Sequence, residues 1–181
     1  MKRILVAILI WALLAAAAFA HSFNMAMVVP AGARVQAMQA FLLASGERDR
    51  HANEESDGHL GGLDVYVSIF ERDGNAADLR AMVLAAEPDI IALVGPELQG
   101  MGLERVFELA SSWVLPVYSA SPRVTREFLA AGRSRFTAQT SDQAGDVAQL
   151  SYIAARLIDL AVRAQGAAAD TGALEATVEG Y

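Results

Sequence analysis

Two polar clusters stand where apolar runs end: Gly95-Pro96-Glu97 with Gln99, and Ser119-Ala120-Ser121. Turn N–H groups, hydroxyls and a side-chain amide at such places suit capture of a small solute. Helix starts near Gly32, Gly102 and Ser121 would add unsatisfied donors at a positive dipole end, which favours a carboxylate, and Arg123 would add a cation. The same serines and glycines also serve any α/β domain as caps and turn formers.

A third cluster holds His51, Glu54, Glu55, Asp57 and His59. Imidazole and carboxylate groups of this kind bind zinc or another divalent ion. No spacing among them forces a tetrahedral site, so the stretch reads as a charged, solvated loop, and no metal or cofactor is assigned. His21 would pair an amine with an imidazole if it became the N-terminus, as copper chelators do, yet one residue makes no site. Catalysis finds no footing. None of the three histidines stands beside a serine in a strand-turn-helix elbow, and G-x-S-x-G is absent. The first turn, Pro30-Ala31-Gly32-Ala33, lacks the glycines of phosphate and dinucleotide loops. With no cysteine, a thiol nucleophile and a thiolate metal site are excluded. Met82, Phe107 and Trp113 at helical spacing read as core. The chain reads as a binding protein rather than an enzyme.

The first 20 residues stand apart from the rest. Lys2 and Arg3 precede an apolar run from Ile4 to Ala18, and Ala18-Phe19-Ala20 has the small-x-small pattern a signal peptidase needs. Residues 1–20 therefore read as a cleaved secretory signal, and residues 21–181 as one domain exported to the periplasm. Removing Lys2 and Arg3 leaves 12 cations (14 minus 2) against 21 acids, a net charge near −9 with no lysine. That balance excludes nucleic acid and anionic lipid as partners, since both need clustered cations.

The elements that must position the polar clusters follow from apolar periodicity. Phe23–Pro30 reads as a strand, and a helix from about Ala33 to Gly46 carries Val35, Met38, Phe41 and Leu42 on one face. Glu47 to Gly62 is the polar loop. Next come a strand at Leu63–Phe70, a helix at Ala76–Ala86 with Leu79, Met82, Val83 and Ala86 inward, and a strand at Asp89–Gly95. A helix at Gly102–Trp113 and a strand at Val114–Tyr118 follow. A short strand near Arg135–Gln139, a long helix to Gly166 and a last helix at Thr171–Val178 complete the chain. The strands are continuous apolar runs, as expected when both faces are buried. The predicted fold is α/β: one doubly wound, mostly parallel sheet of about four or five strands, order 2-1-3-4-5, with helices on both faces. Its binding groups would lie at the carboxyl ends of the strands.

Four runs then carry a family resemblance. Gly61-Gly62 precedes a strand ending at Asp73-Gly74, and DIIALVGP spans Asp89–Pro96. Leu115-Pro116-Val117 leads through Ser121-Pro122 and Phe136 to Ser141-Asp142. Ser151–Leu157 is followed by Gly166, Ala173-Leu174-Glu175 and Glu179-Gly180. In this order they resemble the type I periplasmic binding proteins, the solute receptors of branched-chain amino acid ABC transporters. The likeness covers one lobe of that two-lobed fold. It implies a small-molecule ligand such as an amino acid or carboxylate, held by Gly95, Pro96, Glu97, Gln99, Ser119, Ala120 and Ser121. It also implies ABC-transporter membrane subunits or another periplasmic protein as partner, with a homodimer as one way to close the open cleft. The alternative reading is a protein-interaction module derived from such a lobe.

Overall fold

The structure, a computed structural model, describes residues 22–46, 56–108, 112–119, 142–165, 172 and 174. Its elements run β1 (Ser22–Pro30), α1 (Arg34–Gly46), β2 (His59–Leu60), β3 (Leu63–Arg72), α2 (Ala76–Ala85), β4 (Ile90–Val94), a 3-10 turn (Pro96–Leu98), α3 (Leu103–Phe107), β5 (Trp113–Val117) and α4 (Asp142–Gln165). The five strands form one sheet in the order β2-β3-β1-β4-β5. β1 lies between β3 and β4 and is parallel to both, and β5 is parallel to β4; only β2 is antiparallel, to β3.

Alternation along the strands divides the core in two. Phe23, Met25, Met27 and Val29 of β1 join Val65, Val67, Ile69, Ile90, Ala92, Val94 and Leu115 under α1 and α4. Ala26, Val28, Ile91 and Leu93 point the other way, against Leu79 and Val83 of α2, Leu98, and Leu103 and Phe107 of α3. Both sheet faces are thus covered, which is why the strands read as unbroken apolar runs. The α/β, doubly wound, mostly parallel sheet expected from the sequence is the observed one.

Several boundaries and faces differ from expectation, each for a physical reason. The residues of α1 that pack inward are Ala37, Ala40, Phe41 and Ala44, while Val35 and Leu42 are exposed. Small side chains let α1 lie close beside α4 on the same face, and that contact outweighs the larger residues' hydrophobicity. Met82 is exposed because Leu79 and Val83 already fill the space under α2. Trp113 belongs to β5, paired with Ile90, and α3 ends at Phe107. β3 runs on past Phe70 to Arg72 because β1 pairs with it throughout. The expected polar loop ends in a short strand, β2, whose His59 and Leu60 are both buried. The expected strand at Arg135–Gln139 lies outside the described residues; of the expected helix at Thr171–Val178 only Gly172 and Leu174 are described, both helical, with Leu174 buried.

A buried latch holds β2 and its turn onto α4. The Asp159 carboxylate, 1% exposed, accepts the Gly61 N–H at 2.8 Å and an Arg163 N–H at 2.8 Å. A Cβ at Gly61 would lie 2.4 Å from Val162 Cγ1 and 2.8 Å from the Arg163 backbone nitrogen. Only glycine allows that approach.

Candidate functional site

The parallel strands end at one rim; the chain runs from β1 through α1 to β3 on one side, then returns past β1 through α2 to β4 on the other. Gly95 closes the base of the opening between β1 and β4. Its φ is +130°, and an added Cβ would meet Pro30 Cδ and Cγ at 2.9 Å. The Gly95 N–H donates to Val117 O at 3.1 Å, which binds the loop after β4 to the end of β5. Leu98 is buried beneath the 3-10 turn and anchors it.

Five of the seven residues expected to form the site are described. Gly95, Pro96, Glu97 and Gln99 follow β4, and Ser119 follows β5 one strand away. All but Gly95 are exposed. Ala120 and Ser121 lie outside the described residues, as does Arg123. Backbone donors are scarcer than the sequence suggests. Leu98, Gln99 and Met101 donate their N–H groups to Gly95, Pro96 and Leu98 O within the same loop, at 3.1–3.2 Å. The side chains of Glu97, Gln99 and Ser119 are the polar groups left exposed there. The Glu97 carboxylate folds back over the glycine, with Oε2 3.2 Å from the position a Gly95 Cβ would take.

The start of α1 is also already engaged. Glu71, at the end of β3, accepts the Arg34 backbone N–H at 3.1 Å, so the chain's own carboxylate sits where a helix N-terminus favours an anion. A second link, absent from the expected set, joins β5 to α3: the Tyr118 hydroxyl donates to Glu104 Oε1 at 2.7 Å. Burial, then the hydrogen bond and the negative charge of Glu104, raises the Tyr118 pKa well above the ordinary phenol value of 10.0. Neither contact has a local signal in the sequence, since the partners are 37 and 14 residues apart.

Of the third cluster, His51, Glu54 and Glu55 lie outside the described residues, as does His21. His59 Nε2 stands 2.7 Å from Asp64 Oδ1, and Asp57 Oδ2 accepts the Val67 N–H at 2.8 Å. Among the described residues no group of three or more acidic, histidine or cysteine side chains is placed to hold a metal. Comparison with family models, curated proteins and solved structures gave no match to the chain. The likeness to type I binding proteins therefore rests on the sequence motifs alone.

Proposed function

We propose that the protein is an exported, non-catalytic solute-binding domain that holds a small metabolite at the carboxyl ends of β4 and β5. The observation that supports this reading is that Glu97 and Gln99 follow β4 and Ser119 follows β5, exposed at the carboxyl ends of neighbouring parallel strands. Ligands of open α/β sheets bind at such strand ends. The charge balance refines the ligand class. Glu97 is exposed after β4 and its carboxylate folds over Gly95, so it suits an ammonium group better than a second carboxylate. An amino acid fits better than a plain carboxylate. Delivery to ABC-transporter membrane subunits follows from the family resemblance and belongs to the same proposal.

The test is thermal unfolding of the purified protein with an amino acid, the carboxylic acid of the same skeleton and the amine of the same skeleton. A ligand that binds only the folded state stabilises it by about 2.7 kcal/mol at a hundredfold excess over Kd. The amino acid should raise the Tm, the amine-free acid should not, and Glu97→Gln should remove the rise. No shift with any of a broad amino acid panel would contradict the proposal. A second reading, protein docking, is favoured by a separate observation: the free outer edge of β3.

A further inference from the structure

A groove of about 590 Å³ is lined by Ser68, Ile69, Phe70 and Glu71 of β3, by Arg34 and Met82, and by Asp73. Successive strand residues point to opposite faces of a sheet. Arg34 opens α1 on one face, and Met82 lies on α2 on the other. One groove that touches four consecutive β3 residues and helices from both faces must run along the strand's edge. β1 occupies the inner edge, so the groove follows the outer one.

That edge has unused hydrogen-bonding groups. β2 pairs only with Leu63 and Asp64, and Asp57 and Gly58 then bond to Val65. The Asp57 carboxylate takes the Val67 N–H at 2.8 Å and ends the series with a side chain in place of a strand. Val65 and Val67 show that odd-numbered residues turn their backbone groups outward. Ile69 and Glu71 continue that series with no strand beside them among the described residues. The usual safeguards of an exposed edge, lysine or proline, are missing from Tyr66–Arg72.

We propose that this edge binds an extended peptide segment of a partner protein by strand addition. The segment would alternate apolar and polar residues. Its apolar side chains would lie over Phe70 and Met82, which is half exposed, and a basic side chain would meet Glu71 and Asp73. Shape and charge favour a peptide over a second copy. Arg34 of α1 and Met82 of α2 line the groove on its two sides, and two copies set edge to edge would also bring the Glu71 and Asp73 carboxylates of each against a like-charged edge. A peptide of a few residues instead fills the recess, since four strand residues span about 13 Å. Main-chain hydrogen bonds supply affinity in this mode, and the side-chain walls select the sequence.

The experiment pans a phage-displayed library of random peptides, about twelve residues long, against the purified full chain. Hydrogen exchange is then read with one enriched synthetic peptide. The amides of Ile69 and Glu71 should exchange at least about tenfold more slowly in the complex, while Val67, already bonded, changes little. Met82→Arg, on the exposed wall, should weaken the peptide about tenfold or more without altering the fold. Glu71→Gln combined with Asp73→Asn should remove the preference for basic peptides. Failure to enrich any peptide, or binding that leaves both amides unprotected, overturns the proposal. Protection of the same amides in the peptide-free protein, rising with its concentration, would assign the edge to a second copy and overturn it too. Glu97, Gln99 and Ser119 do not border the groove, so either outcome leaves the solute reading to its own test.

Discussion

Tyr118 and Glu104 illustrate how single residues shape the rim. Because the fold raises the Tyr118 pKa, the folded state keeps a proton that the unfolded chain releases once the pH passes about 10. The stability gained from this group is complete below the unfolded value and is lost as pH rises through it toward the folded value. Urea unfolding between neutral pH and pH 11 should therefore show a stability decline at the alkaline end that Tyr118→Phe reduces. Equal slopes in the two proteins would mean that burial and Glu104 together do not raise the Tyr118 pKa. At this scale the sequence was partly legible. Gly95, Glu97, Gln99 and Ser119 stand out because they end apolar runs. Arg34, Glu71, Tyr118 and Glu104 do not, because their pairing depends on which strand ends meet which helix starts. That information exists only once the sheet order is set.

At the scale of elements, the apolar runs foretold the parallel strands, while their order around β1 was assumed from the fold class rather than read from the residues. β2 was hidden: two residues in a charged stretch give no periodicity, and their burial depends on α4 lying over them. The α1 face was misread because size was weighed above closeness of packing, and here alanines make the contact. The latch between the β2–β3 turn and α4 offers a paired test. Gly61 and Gly62 both have positive φ, +67° and +90°, but only Gly61 faces Val162, whereas a Cβ at Gly62 meets nothing within 4 Å. Gly62→Ala should cost about 1–2 kcal/mol, the strain of a left-handed alanine. Gly61→Ala should cost about 1–3 kcal/mol more, because the added carbon must push α4 away. Chemical denaturation of the two variants gives the difference directly. Equal losses would show that α4 does not rest against the turn.

As a whole molecule, the chain joins a rim of exposed polar side chains at the carboxyl ends of its strands to an edge of β3 that, among the described residues, no strand covers beyond Val67. The fold class was legible because both faces of the sheet are buried, which writes a strong pattern into the sequence. The ligand was not, because a rim of exposed side chains leaves no such pattern and many solutes share the same few hydrogen bonds. On the proposed reading, the exposed Glu97 carboxylate favours solutes bearing an ammonium group. Native mass spectrometry of the protein, purified from its own compartment without refolding and then titrated with amino acids, tests the binding role most directly. The expected result is a bound species heavier by one amino acid, lost in Glu97→Gln. A spectrum that shows the bare chain at every amino acid concentration would contradict the role of solute receptor.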